Sequence, residues 1–200
     1  IGDGAVSVNK RGTGRLILTV SQAEPDVAAR LLEIGERIFG LRPVRQTQAG
    51  DASENYFFNS TTLVAWFKAM GVEKPSSLDV RLPEIAFCAD PQFARGLLRG
   101  LFTADGTVST EGYPSLSSTS KNLIDEVQQL LLALGVPSSV SVTARRSSSF
   151  GRNPLYRLRV ITRDGLRVFA EQSGFFSPEK TARLQKGLEK AWEFNDVIPF

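Results

Sequence analysis

The chain has 200 residues, 42% hydrophobic and 22% charged, with 24 Lys and Arg against 21 Asp and Glu, a net charge of +3 and a pI near 9.2. That length and apolar content build a real core in one or two domains. With no histidine and one cysteine, Cys88, it lacks any Ser-His-Asp or Cys-His scheme, any His-containing zinc site and any internal disulfide, leaving carboxylates, lysines, hydroxyls and a hard oxygen-bound metal for chemistry.

The apolar runs are far shorter than the ~20 residues that span a bilayer, and no basic-apolar-small leader opens the chain. The expected setting is cytoplasmic and nucleoid-associated, not secreted and not membrane-bound. The basic balance permits a polyanionic partner without requiring one.

The chain opens IGDGAVSVNK, and its second half carries TADGTVSTEG. Asp3, Gly4, Val6 and Ser7 align with Asp105, Gly106, Val108 and Ser109. In the first half a polar turn, NKRGTG, leads to the alternating strand RLILTVS. Leu16, Leu18 and Val20 share one face of it, and Arg15, Ile17 and Thr19 the other. A capping-box pattern, Ser21 to Glu24, opens a helix with Val27, Leu31, Ile34 and Ile38 on one stripe, ended by Gly40 and Pro43. The strands VRQTQ and NYFFN and the helix TTLVAWFKAMG complete the unit.

After VRLPEIAF, Asp90 as N-cap and Pro91 at the first helical position start a helix that runs into Asp105. An acid at a helix C-terminus costs up to ~1 kcal/mol. Gly96, Gly100 and Ala104 recur every fourth residue as a strip without bulk, flanked by Phe93, Leu97, Leu101 and Phe102. Two glycines inside one helix cost ~1 kcal/mol each, which makes sense where another backbone approaches closely. The strand PSLSSTS follows, then a helix capped by Ser120 with Leu123, Val127, Leu131 and Leu134 on its stripe. Next come the strand SVSVTAR, the loop RSSSFGRNP, the strand LYRLRVI and the helix TRDGLRVFAEQSG. The tail SPEKTARLQKGLEKAWEFNDVIPF reads as a capped helix, with Leu184, Leu188 and Trp192 on one side, leading into an extended exit.

The expected class is α+β, two pseudo-symmetric αββαββα halves with antiparallel saddle-shaped sheets. The first half spans 1–72 and lacks its opening helix, about a dozen residues at usual helix lengths. A linker (73–90), the second half (91–176) and a C-terminal helix with exit segment (177–200) follow. Val140, Val142, Ala144, Tyr156, Leu158 and Val160 are expected inward; Ser139, Ser141, Thr143, Arg145, Arg157 and Arg159 outward. An ordinary wet sheet face accounts for such polar positions; so does a face that contacts phosphates and major-groove base edges.

If the missing helix packs in parallel beside residues 91–104, Asp3 and Asp105 converge at two negative dipole ends. That is unfavourable unless a divalent cation sits between them. A lone Asp-Gly is usually a turn; the repeat is what favours the metal.

LRGLFTADG (98–106), the remnant IGDG, the two halves between and after them, LGV and VRLPEIAF together resemble a double-motif LAGLIDADG homing endonuclease of the kind embedded in inteins. The resemblance covers nearly the whole chain. It implies a monomeric site-specific double-strand DNA endonuclease with a long target site and internal pseudo-twofold symmetry. Asp3 and Asp105 would hold Mg²⁺ or Mn²⁺, and each would have a basic residue nearby: Lys180 in the second half, and Arg81, with Lys74 as the alternative, in the first. Lys10, Arg11, Arg15, Arg45, Gln46, Gln48, Ser117, Thr119, Arg145, Arg146, Arg157 and Arg159 would contact DNA, and Gly96, Gly100 and Ala104 would form the helix interface.

Two departures are plain. Thr103 stands where the family name has its first acid, and Arg81 where lysine is more usual. Without histidine the chain holds no protein-splicing site, so it is expected to be the endonuclease portion of an intein, covalently joined to a host protein. Two alternatives remain at this level. One is a non-cleaving nucleic-acid binder on the same scaffold (RNA maturase, transcription-factor relative or decayed endonuclease); the other is a structural protein whose repeat merely packs.

Overall fold

The computed structural model describes residues 4–8, 12–47, 50–72, 76–144 and 153–189. The first half comprises β1 (Gly4–Val8), β2 (Gly14–Ser21), α1 (Pro25–Phe39), β3 (Val44–Thr47), β4 (Ser53–Asn59) and α2 (Thr61–Ala69). A single-turn helix, α3 (Ile85–Cys88), leads to α4 (Pro91–Ala104), β5 (Gly106–Val108), β6 (Pro114–Ser118), α5 (Lys121–Ala133), β7 (Ser138–Thr143), β8 (Leu155–Val160) and α6 (Arg163–Gln172). Helix α7 (Pro178–Glu189) follows. The two antiparallel sheets have the same permuted order, β1-β2-β4-β3 and β5-β6-β8-β7. The expected α+β architecture of two repeated halves is therefore the observed one.

Strand alternation works as expected except at the end of β7, where Val142, expected inward, is 59% exposed and Ala144 is exposed as well. Leu16, Leu18 and Val20 pack with Tyr56, Phe58 and Leu63 beneath α1 and α2, because opposed residues of an antiparallel pair share a face. In the second half Leu116 and Leu158, paired directly, are almost fully buried with Phe102, Val127, Leu131 and Phe169. Asp90 caps α4 by accepting from the Gln92 amide at 2.7 Å, and Ser120 caps α5 by accepting from Leu123 at 3.3 Å.

One start signal behaves differently. Ser21 remains in β2, paired with Ser53. Helix α1 begins at Pro25 with Glu24 as its N-cap residue and no side-chain cap bond. Proline has no N–H to satisfy and a preset φ, so it sets the start in place of the capping box.

The stretch 76–90, expected as a linker, is folded onto the second half. Val80, Leu82 and Ala86 belong to that half's core. Ser120 donates to the Val80 carbonyl at 2.7 Å, and Glu126 accepts from the Leu82 amide at 2.8 Å.

The two halves differ in how fully they are packed. The second-half core buries 21 apolar residues around α4, whereas the first-half cluster buries five. Beside α1 and α2 lies an open apolar groove of about 500 Å³ lined by Val6, Leu18, Leu31, Ile34, Phe58 and Leu63, among others. The α1 stripe accordingly lines this groove, and Ile38 at its end is 59% exposed. The described residues place no helix where α4's counterpart is expected. Trp192 and the exit segment lie outside the described residues.

Candidate active site and nucleic-acid interface

Helix α4 ends on an acid for reasons visible in its neighbours. Asp105 is the C-cap residue, its amide donating to the Leu101 carbonyl at 2.9 Å, and its side chain is exposed. The next residue must be glycine: a Cβ on Gly106 would lie 2.4 Å from the Phe102 carbonyl oxygen. The chain can therefore turn directly from helix into β5 and keep Asp105 at the junction.

Lys180 comes to this same end. Ser177 accepts from the Lys180 amide at 3.5 Å, placing Lys180 in the first turn of α7, and its ammonium donates to the Thr103 carbonyl. A cation there offsets the negative end of the α4 dipole. Thr103 locks the arrangement: its hydroxyl donates to the Arg99 carbonyl at 2.6 Å and accepts from the Phe176 amide at 2.9 Å. The residue that departs from the family's acid thus joins the α4 C-terminus to the turn preceding α7.

Asp3, the expected partner of Asp105, lies outside the described residues, as does Lys74. Among the described residues no three His, Cys, Asp or Glu side chains come together. The chemistry of Asp105 nevertheless fits a hard divalent cation: it is an exposed carboxylate with no sulfur or imidazole competing. Arg81 is held elsewhere, with its guanidinium on Glu126 of α5 at 2.9 Å.

A Cβ on Gly96 or Gly100 would meet nothing within 4 Å. The small-residue strip is thus open, and no described element packs against it. Phe93, Leu97, Leu101 and Phe102 all feed the second-half core.

The strand registers sort the expected DNA contacts. In the first sheet Arg15 pairs with Asn59, Thr19 with Asn55, and Gln46 with Asn55, all on the face away from α1 and α2. Arg15 Nε donates to Asn59 Oδ1 at 2.8 Å, and its guanidinium lies over the Phe57 ring at 5.1 Å. Arg45 is corrected to the opposite face. It pairs with buried Tyr56, and its guanidinium meets Glu54, because alternation separates it from Gln46 by one residue. The Arg45 hydrogen bond, then the Tyr56 hydroxyl at 2.7 Å, hold the Glu54 carboxyl below the usual range. Burial, then Glu54, pushes the Tyr56 phenol up.

In the second sheet Arg157 pairs with Ser117 and Ser141, and Arg159 with Ser115 and Ser139. Both arginines are exposed. Arg157 Nε donates to Ser117 at 3.3 Å, and Arg159 lies over Tyr113 at 5.3 Å. Among the described residues neither forms an ion pair. Thr119 turns away and donates to the Ser77 carbonyl at 3.1 Å. Lys10, Arg11, Gln48, Arg145 and Arg146 lie outside the described residues. Sequence reading missed Asn55, Phe57, Asn59, Ser115 and Thr107 as members of these faces; Ser139 was expected outward and pairs with Arg159. The alternation of NYFFN would have supplied the first three.

Comparison with known proteins agrees with this architecture. The LAGLIDADG-like domain family matches residues 92–174. A DNA polymerase of Thermococcus hydrothermalis is 33% identical over 167 residues, covering 78% of this chain and 10% of that protein. A glutamine–fructose-6-phosphate aminotransferase of Methanocaldococcus jannaschii is 27% identical over 195 residues, covering 95% of this chain and 17% of that protein. The chain thus spans a small part of these relatives' lengths.

Among solved structures, I-DmoI in complex with DNA and Mn superposes with a TM-score of 0.58 at 19% identity, covering 86% of this chain and 88% of that one. Full-length DUF199/WhiA from Thermatoga maritima gives 0.57 at 11% identity, covering 98% and 59%. The meganuclease I-SmaMI bound to uncleaveable DNA gives 0.54 at 13%, covering 91% and 83%.

Proposed function

This chain belongs to the LAGLIDADG homing-endonuclease family, and from that premise we propose that it is a site-specific, metal-dependent double-strand DNA endonuclease. The observation that carries the reading is the exposed Asp105 at the end of α4, with the Lys180 ammonium on the adjoining turn. An acid at a negative dipole end is useful where it receives a cation and costly otherwise.

Asp105, with Asp3 from the other repeat, would hold Mg²⁺ or Mn²⁺. When bound, the ion supplies charge neutralisation at the scissile phosphate and a more acidic water. Lys180 is anchored through Thr103 and would oppose the negative charge that develops on the phosphate. Arg81 is the first-half candidate for the same task, and there it would have to leave Glu126. The polar sheet faces would lie along the duplex, Arg15, Arg157, Arg159, Gln46, Ser117 and the neighbouring amides meeting phosphates and base edges.

The curated relatives support an embedded element. One segment recurs as a small fraction of three differently named proteins, a DNA polymerase, an aminotransferase and a replication factor C small subunit. That distribution is what an intein endonuclease, joined covalently to different hosts, would leave. A second reading is a nucleic-acid binder on the same scaffold that does not cut, since fold alone does not fix function.

One assay separates the two. The protein is incubated with Mg²⁺ and duplex DNA spanning the uninterrupted insertion site. Defined double-strand cuts, lost in Asp105→Asn with binding retained, support the endonuclease. Binding without cuts in any divalent metal supports the second reading.

A further inference from the structure

Resting on the DNA-binding reading, we infer that the two sheets read chemically different half-sites: A·T-rich under the first, guanine-containing under the second. The strand registers make the two sheets superposable position by position. Gly4 pairs with Leu18 and Leu18 with Tyr56 in one sheet; Gly106 pairs with Leu116 and Leu116 with Leu158 in the other. Tyr56 is thereby equivalent to Leu158, Asn55 to Arg157, and Phe57 to Arg159.

Two rows of the helix-free face can then be compared. The row through Phe57 is Ala5, Ile17, Phe57, Val44, wholly apolar, with Val44 58% exposed. Its equivalent is Thr107, Ser115, Arg159, Ser139, wholly polar. The row through Asn55 is Thr19, Asn55, Gln46; its equivalent is Ser117, Arg157, Ser141.

Side-chain chemistry assigns bases to these rows. Asn and Gln pair in bidentate fashion with adenine N6 and N7, and apolar groups meet the thymine methyl. Arg forks onto guanine O6 and N7, while Ser accepts several partners. Among the described residues of β3 and β4, Arg45 would blur the contrast, but it faces the helices and is held by Glu54. The other first-sheet arginine, Arg15, lies outside both rows, paired with Ser7 and Asn59. In the second sheet Arg157 and Arg159 have only hydroxyl and aromatic partners among the described residues, so their outer N–H groups remain for a base.

The test is selection from a randomised duplex pool with the purified protein, with Arg157→Lys/Arg159→Lys, and with Asn55→Ala/Gln46→Ala. Lysine keeps the charge that a phosphate contact needs and loses the bidentate fork. The expected selected sequence has guanines confined to one half and A·T pairs to the other. The lysine variant loses guanine preference by about tenfold or more with the other half unchanged. The Asn55→Ala/Gln46→Ala variant does the converse. Equal weakening on all sequences in the lysine variant, or the same composition in both halves, overturns the inference while DNA binding stands. Failure of the unaltered protein to retain any duplex overturns the DNA-binding reading, and the inference with it.

Discussion

Thr103 is almost fully buried, at 4% exposure, and its hydroxyl serves two main-chain groups from different elements. Thr103→Val leaves the Phe176 amide without its acceptor and is expected to cost about 1–3 kcal/mol, read as a lower midpoint in urea unfolding. Lys180→Met is expected to leave the fold intact and to slow cleavage, with Lys180→Arg recovering part of the rate; a Met variant that cuts normally would remove Lys180 from the site. Glu54 carries the pH prediction. Its carboxyl is held down in the folded protein by Arg45 and then Tyr56, so its contribution is present above the unfolded glutamate value of about 4.3. It is lost as pH falls through the lower folded value. Unfolding midpoints between about pH 5 and 2 should therefore decline less steeply in Glu54→Gln than in the unaltered protein.

Helix α4 shows what an element discloses in sequence and what it conceals. Asp90, Pro91 and the stop at Gly106 predict its bounds, and Phe93, Leu97, Leu101 and Phe102 its apolar contacts; all are observed, with Leu98 added at the centre of the core. The conflict of an acid with the helix dipole also marked Asp105 from sequence, because local electrostatics needs no partner to be recognised. Lys180 could be matched only through family resemblance, since its link to Thr103 spans 77 positions. The faces of β3 and β4 were hidden for a different reason. Grouping Arg45 with Gln46 ignores that adjacent strand residues point oppositely, and only the pairing with Tyr56 and Asn55 shows which one turns outward. The open strip gives the element its own test. With nothing within 4 Å of a Cβ at position 100, Gly100→Ala in this chain should raise stability by about 1 kcal/mol through helix propensity. A loss of stability would mean that another backbone is packed against it.

Across the described residues the two sheets repeat one strand order, but the halves are packed unequally. The second half organises 21 buried apolar residues around α4, while the first leaves an apolar groove open beside α1 and α2. Amide hydrogen exchange should accordingly be slowest in α5, β6 and β8 and markedly faster in β2, β4 and α1. Between the halves, the Phe176 ring has the Arg99 guanidinium of α4 at 5.5 Å and that of Arg30 of α1 at 5.8 Å. That contact ties the turn before α7, and with it Lys180, to the first half. In the proposed function the aspartates of the two repeats, Asp3 and Asp105, would together hold the metal that cuts DNA. The most direct measurement is cleavage of duplex DNA bearing the uninterrupted insertion site, with Mg²⁺, by the unaltered protein and by Asp105→Asn. One defined double-strand break is expected, which the variant fails to make while still binding. Equal cutting by the variant, or binding without cutting by the unaltered protein in any divalent metal, would contradict the proposed function.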